Sequence, residues 1–287
     1  MNDDDYKGLA ITSGDHKVRL KWHKLLRRLD GPVFDGDVLR LGSELGASME
    51  IDMRVRADGG FALLHDDVLE GETTGSGPVS DASMATLRSL RMRHGGQITL
   101  SEDLATMLGT AHPHALLQFD MKDDFEAIGE RGIAHLAEHF ADKGGQIIIS
   151  AGDNDLIMAV KDRLPGIRRG IDPTERFLHL WQHEGLVAAE ASLLEDLSGE
   201  TEPEMIYLQW KMILNAKAQG LDLIALCHDH GCTVDAWTWN PRNPAGGFLP
   251  EEWQDIRDLV ALRPDQITTD ECQWLERRWV EQNTANP

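Results

Sequence analysis

The chain has few cysteines, few basic residues and no long apolar run, and each shortage narrows its possible class. Its three cysteines, Cys227, Cys232 and Cys272, are too few and too odd in number for a disulfide framework, so we expect a reduced, cytoplasmic location. No run of roughly 18 apolar residues occurs, so no membrane-spanning helix is expected. The start Met-Asn-Asp-Asp-Asp has neither the basic nor the apolar region of a signal peptide.

Basic residues are outnumbered by acidic ones. The chain has 28 Lys and Arg against 49 Asp and Glu, a formal net charge of −21. This charge argues against nucleic acid or an anionic membrane as a partner. It does not exclude a small phosphate-bearing substrate, because a bound cation and a few basic groups can reverse the field locally.

The stretch from Ser48 to Asp67 contains the clearest pattern. Between residues 49 and 56, apolar side chains alternate with charged ones, which predicts a strand with its charges on one face. Glu50 and Asp52 therefore project side by side. Asp58-Gly59-Gly60 predicts a tight turn, and the apolar run Phe61 to Leu64 then predicts a second, antiparallel strand.

The predicted hairpin returns His65 towards the two carboxylates. Two oxygen ligands beside an imidazole suit a Mg²⁺ or Ca²⁺ site with an acid/base partner. Taken alone, the same residues fit a polar strand face with a surface histidine equally well.

Eight strands are predicted along the chain, each followed by a helix or helical stretch. They run over residues 18–22, 49–55, 115–120, 146–150, 167–171, 205–210, 233–239 and 266–269. Eight β/α units in 287 residues predict an α/β TIM barrel, with the antiparallel hairpin as an excursion after strand two. An open sheet of eight parallel strands is the alternative. We expect one domain over residues 1–287, with disordered tails at 1–7 and 280–287.

The helix boundaries rest on capping signals. Helices are expected over residues 37–45, 80–90, 101–108, 125–141, 154–164, 176–197 (with interruptions), 213–230 and 251–262. Ser80 and Ser101 are the expected N-caps, and Gly46 is expected to end the first helix.

Polar residues follow several strands at the end where TIM barrels carry their active sites. They are His23, Lys24, Glu50, Asp52, His65, Asp120, Lys122, Trp237, Asn240 and Asp270. Three of these carboxylates, Glu50, Asp52 and Asp120, together with two histidines and two lysines on one rim, form a more specific signal than any one residue.

The spacing of these motifs resembles that of the glycerophosphodiester phosphodiesterase family. The motifs are Glu50-x-Asp52, Asp58-Gly59, His65-Asp66, the loop of residues 69–77, Phe119-Asp120-Met121-Lys122, Trp237-Thr238-Trp239-Asn240 and Ile267-Thr268-Thr269-Asp270. They cover nearly the whole chain in the family's order. Where the family has His-Arg-Gly, this chain has His23-Lys24-Leu25, and Asp120 stands where the family has a glutamate.

The resemblance implies a role for each matched residue. Glu50, Asp52 and Asp120 would bind the metal, Mg²⁺ or Ca²⁺. His23 and His65 would be the acid/base pair. Lys24, Lys122, Trp237 and Trp239 would contact substrate, although core packing explains the two tryptophans equally well.

The resemblance also implies the reaction. A glycerophosphodiester would be hydrolysed to glycerol 3-phosphate and an alcohol, and the family's chemistry suggests the glycerol's neighbouring hydroxyl as the attacking group. A phosphodiester lyase, a sugar-phosphodiester hydrolase and an inactive phosphoester- or metal-binding barrel are the alternatives, the last because the His-Arg-Gly segment is altered.

Three further histidine motifs remain. His16 is the alternative to His23, but it lies in a turn at the other end of the first strand. The segment Cys227 to Cys232 predicts a helix end rather than a zinc site, because its spacing fits no usual zinc pattern. His135 and His139 are one turn apart on a helix, which predicts a solvated pair because no third ligand is evident.

Overall fold

A ring of parallel strands surrounded by helices forms the centre of the protein. The computed structural model describes residues 5–285, and side chains up to residue 284. The strands are β1 (Ala10–Ser13), β2 (His16–Trp22), β3 (Ser48–Val55), β4 (Phe61–Ala62), β5 (Leu116–Met121), β6 (Ile147–Ala151), β7 (Arg168–Ile171), β8 (Met205–Gln209), β9 (Thr233–Trp237) and β10 (Gln266–Thr269). The helices are α1 (Gly36–Leu45), α2 (Met84–Ser89), α3 (Ser101–Met107), α4 (Phe125–Phe140), α5 (Asn154–Arg163), α6 (Thr174–Glu184), α7 (Leu186–Ser198), α8 (Trp210–Ala218), α9 (Leu223–Asp229), α10 (Pro250–Ala261) and α11 (Cys272–Ala285).

Eight of the strands close on one another. The order around the ring is β2-β3-β5-β6-β7-β8-β9-β10, and β10 pairs with β2 through Thr269 and Trp22. All ring pairs are parallel. The predicted TIM barrel is therefore confirmed, and the open-sheet alternative is wrong.

Alternation along the strands separates an outer apolar layer from an interior that contains many polar side chains beside a small apolar cluster of Leu116, Ile148, Met205 and Tyr207. The main core lies between ring and helices and includes Trp22, Ile51 and Phe119, each fully buried. Inside the ring, polar side chains bond one another: Lys21 Nζ lies 3.1 Å from Asp235 Oδ2, and Gln118 Nε2 donates to Ser150 Oγ at 2.8 Å. Such pairing compensates the desolvation of buried polar groups.

The excursion after β3 is the predicted hairpin. β4 pairs antiparallel with β3 (Arg54 with Ala62, Val55 with Phe61), and Gly59 takes a positive φ of 84° in the turn. The Arg56 side chain, only 2% exposed, forms ion pairs with Asp58 and with Glu102 of α3, which anchors the hairpin to the barrel.

Several predicted boundaries are wrong. Ser83, not Ser80, caps α2, and a separate 3₁₀ turn spans Val79–Asp81. The predicted helix over residues 213–230 is two helices, because the chain turns between them and Gly220 has a positive φ of 95°. Ser101 is the first residue of α3, and Leu100 is the cap.

Part of each expected tail lies within the described residues. α11 continues to Ala285, so residues 280–285 are helical, and the Tyr6 carbonyl accepts a hydrogen bond from Gln273. Residues 1–4 and 286–287 lie outside the described part of the chain. No helix within residues 5–285 is long and apolar enough to cross a membrane.

Candidate active site

Three carboxylates meet at the C-terminal rim of the ring. Glu50 and Asp52 come from β3 and Asp120 from β5, and strand register pairs Asp52 directly with Asp120. One carboxylate oxygen from each residue lies within 4.8 Å of the others. Glu50 is 3% exposed and Asp52 is fully buried. The sequence prediction that these three acids lie together therefore agrees with the geometry.

Two lysines face the acids. Lys122 Nζ lies 2.8 Å from Asp52 Oδ1 and 2.5 Å from Asp120 Oδ2, and Lys24 Nζ lies 3.4 Å from Asp52 Oδ2. Lys24 has a positive φ of 52°, and its backbone N–H donates to Glu50 Oε2 at 2.7 Å. The departure from His-Arg-Gly thus leaves a cation at the site, but one without the planar fork of arginine.

The donor set fits a hard divalent cation. Both Asp52 oxygens are buried and receive no hydrogen bond from the described residues, although the lysines form ion pairs with them. Burial and the facing Asp52 raise the pKa of Glu50. Burial also opposes ionisation of Asp52, but Lys122 and Lys24 outweigh it and lower the Asp52 pKa. A divalent cation among three oxygen donors would relieve this repulsion.

His23 begins a 3₁₀ turn directly after β2. Its Nδ1 lies 2.7 Å from Asp270 Oδ1, and its Nε2 lies 3.9 Å from Glu50 Oε2. Asn240 donates to the second Asp270 oxygen at 2.5 Å. Burial disfavours the charged imidazole, but the Asp270 bond and the Glu50 charge outweigh it and raise the His23 pKa.

His16 lies at the opposite end of the same strand. Its Nε2 is 2.8 Å from the Pro264 carbonyl oxygen. β2 runs seven residues from His16 to Trp22, so His16 is separated from the rim by the length of the strand.

His65 follows the hairpin and stands at the mouth of the site. Its side chain is 46% exposed, and its Nδ1 lies 3.1 Å from Asp66 Oδ1. Its backbone N–H and that of Asp66 both donate to Glu72 Oε2, at 2.7 and 2.8 Å, which fixes the chain here. A cavity of about 220 Å³ is lined by His23, His65, Glu50, Lys122 and other residues of this rim.

A wider pocket of about 540 Å³ shares His65, Lys122 and Trp237 with this cavity. It also contains Asp172, which the sequence analysis missed. Burial raises the Asp172 pKa to about 7, and one oxygen accepts from the Thr174 N–H at 2.9 Å. Asp172 directly follows β7, so the strand-end rule that selected the other residues would have found it.

The two tryptophans differ. Trp237 lines both the cavity and the pocket. Trp239 is 1% exposed and packs against Phe248 and Trp274, with ring centroids 5.9 and 6.4 Å away. Trp239 therefore packs in the core, which is the alternative that the sequence left open. Strand alternation would place residues 237 and 239 on the same face, but β9 ends at Trp237 and the pattern does not extend to Trp239.

The fold and this rim define an enzyme class. A parallel barrel that presents acids, lysines and two imidazoles to one cavity is suited to chemistry on phosphate esters. The model of the glycerophosphoryl diester phosphodiesterase family matches residues 39–273, most of the chain. The chain belongs to this family and is a phosphodiesterase.

Solved structures of low identity share the fold. A phosphodiesterase from Oleispira antarctica, solved with the product sn-glycerol-3-phosphate, is 17% identical (TM-score 0.64), with 91% of this chain and 96% of that chain covered. A glycerophosphodiester phosphodiesterase from Thermotoga maritima is also 17% identical (TM-score 0.62; coverage 92% and 99%). One from Parabacteroides distasonis is 18% identical (TM-score 0.61; coverage 98% and 93%). No curated protein matches the chain.

Proposed function

We propose that the protein hydrolyses glycerophosphodiesters to glycerol 3-phosphate and an alcohol, and that it needs one divalent cation bound by Glu50, Asp52 and Asp120. The convergence of these three acids with two lysines at one rim of the barrel carries the proposal. Three oxygen ligands favour Mg²⁺ or Ca²⁺ over zinc. When bound, the cation would neutralise charge on the phosphoryl oxygens.

The lysines and histidines supply the remaining chemistry. Lys122 and Lys24 would contact phosphate oxygens, since both ammonium groups already lie beside the acids. One imidazole accepts the proton of the attacking hydroxyl, and the other protonates the leaving alkoxide. Asp270 would hold His23 by its Nδ1 with Nε2 directed at the site, as carboxylates orient catalytic histidines elsewhere.

The substrate assignment rests on the family and on the cavity. The Oleispira antarctica protein retains sn-glycerol-3-phosphate as its product, and the same class of product fits a cavity lined by lysines. Trp237 and Asp172 would face the variable alcohol from the wider pocket.

The test is turnover of a panel of glycerophosphodiesters by protein stripped with chelator and then supplied with Mg²⁺ or Ca²⁺. We expect glycerol 3-phosphate only after a cation is restored, and none from Asp52→Asn. Accumulation of a cyclic phosphate would instead indicate a lyase. Full turnover in chelator would refute the metal dependence, and no turnover of any diester would indicate an inactive, binding barrel.

A further inference from the structure

A second group of metal-ligating side chains lies outside the barrel, between α3 and α4. His135 and His139 are one turn apart on α4, with ring centroids 4.4 Å from each other. Glu102, in the first turn of α3, brings its carboxylate to the pair, and one donor atom from each of the three lies within 4.8 Å of the others. The structure therefore supplies the third ligand that the sequence did not show.

The charges around this group favour a cation. Arg56 contacts two carboxylates: its guanidinium donates to both Glu102 oxygens, with Nη1 2.9 Å from Oε2, and its Nε lies 2.5 Å from Asp58 Oδ1. Two negative charges against one positive charge leave a net −1 when the imidazoles are neutral. Asp58 can keep Arg56 paired if Glu102 also ligates a metal.

The remaining contacts of the group can adapt. His135 Nε2 is 2.7 Å from the Ser101 hydroxyl, which is also within 3.3 Å of Glu102 Oε2 and accepts the Phe61 N–H at 3.1 Å. If His135 turned its nitrogen to a metal, Ser101 would keep these other partners. All three ligand residues are partly exposed, so an ion has access to them.

We propose that Glu102, His135 and His139 form a zinc site that is separate from the catalytic centre. Two imidazoles and one carboxylate are a donor set that zinc accepts, with water as a fourth ligand, whereas Mg²⁺ prefers oxygen alone. Ligand distances of about 2.0–2.2 Å place the donor atoms of a tetrahedral zinc site roughly 3.3–3.6 Å apart, so separations of up to 4.8 Å would shorten on binding. The ion would join α3 to α4 and, through Arg56, to the hairpin that carries His65. The proposal does not depend on the proposed catalytic function.

The chain contains a matched control. His179 and His183 are also one turn apart on α6, with ring centroids 4.3 Å apart. Within residues 5–285, no third His, Cys or carboxylate donor closes on that pair. A histidine pair alone should bind zinc much more weakly than the group with Glu102.

The experiment is zinc titration of the full-length protein by competition with a chromophoric chelator, in excess Mg²⁺ to occupy the carboxylate trio. We expect wild type and His183→Ala to bind one more equivalent of zinc than His139→Ala. Zinc should raise the melting temperature of wild type and His183→Ala but not that of His139→Ala. Equal zinc binding by His139→Ala and wild type would overturn the proposal.

A second measurement, made on the wild-type protein, tests the site even if the variants fail to fold. Zinc-edge X-ray absorption on the wild-type protein, under the same conditions, reports imidazole ligands directly. Scattering from two histidines supports the site, whereas a shell of oxygen alone overturns it. Glu102→Gln, which keeps the shape of the side chain, should weaken zinc binding without abolishing it.

Discussion

At the scale of single residues, the two ends of β2 offer a direct comparison of histidines. We expect His23→Ala and His65→Ala to lower kcat by about two to four orders of magnitude, the size typical of an acid/base group. His16→Ala should keep near-wild-type turnover, because His16 bonds the Pro264 carbonyl at the far end of the strand. Steady-state assays of the three variants, with circular dichroism to check folding, decide the assignment. If His16→Ala lost activity and His23→Ala did not, His16 rather than His23 would be the acid/base residue.

Asp270 is expected to act through His23. Asp270→Asn removes the charge that faces His23 Nδ1 while keeping a side chain of the same shape. We expect kcat to fall about 10–100-fold, the usual cost of losing an orienting partner, with little change in KM. A matched substitution at the other histidine, Asp66→Asn, should cost less, because that pair is exposed at 3.1 Å. Equal effects from both would argue against a special role for Asp270.

The sequence was a better guide to which residues form the site than to the contacts between them. Glu50, Asp52 and Asp120 could be placed together because strand alternation and strand-end position are both local properties. The bond from His23 to Asp270 depends on closure of the ring, since 247 residues separate the two. Trp239 was hard to place for a different reason: strand alternation puts residues two apart on the same face, but the strand ends at Trp237 and Trp239 packs into the core beyond it.

At the scale of elements, the pair of Arg56 and Glu102 fastens the hairpin to α3. Partial burial disfavours the charged form of Glu102, but the hydrogen bonds from Arg56 outweigh it and lower the pKa to about 2. In metal-free buffer at pH 7 we expect Glu102→Gln to reduce the free energy of unfolding by about 1–2 kcal/mol, the worth of a hydrogen bond to a charged group.

The stability lost in Glu102→Gln should depend on pH in one direction. Because the pKa of Glu102 is lower in the folded state, its charge stabilises the protein above the ordinary glutamate pKa of 4.5, and this stabilisation disappears as the pH falls towards 2. Urea denaturation of both proteins should therefore show a constant difference between pH 7 and 5 that shrinks below 4.5. A difference that grows on acidification would contradict the assignment. Arg88→Ala, which removes an exposed pair with Asp103, is the control and should cost less.

The sequence predicted some helices and strands correctly and missed the boundaries of others. The hairpin followed from Asp58-Gly59-Gly60 and period-two alternation, signals that lie within a few residues of each other. The break between α8 and α9 was missed although two local signals mark it: Gly220, with its positive φ, follows α8, and Asp222 is the N-cap of α9. Ser83 replaced Ser80 as a cap because the 3₁₀ turn Val79–Asp81 uses the earlier residues.

At the scale of the whole molecule, a divalent cation should stabilise the fold. Three carboxylates lie close together in a chain of net charge −21, and a cation bound between them would reduce their repulsion. Because only the folded protein brings the three together, cation binding shifts the folding equilibrium towards the native state. At a free cation concentration of about 100 times Kd, binding increases the free energy of unfolding by about 2.7 kcal/mol. We expect Mg²⁺ or Ca²⁺ to raise the melting temperature of chelator-treated protein, and Asp52→Asn to abolish the shift. Glu175→Gln, an exposed acid in the wider pocket, should retain it.

The architecture was predictable because eight strand signals, each followed by a helical stretch, allow few topologies. The polar interior was not predicted. Lys21 and Asp235 lie on β2 and β9, which are not neighbours in the ring, and pair only across its inside.

Ring closure also sets the order in which the site can assemble. The three acids lie on adjacent strands within residues 50–120, whereas Asp270 follows β10, the last strand, and meets His23 only when β10 pairs with β2. During synthesis, a nascent chain exposes all three acids long before it exposes Asp270. An unfinished or C-terminally clipped chain therefore contains the three acids but lacks the partner that contacts His23.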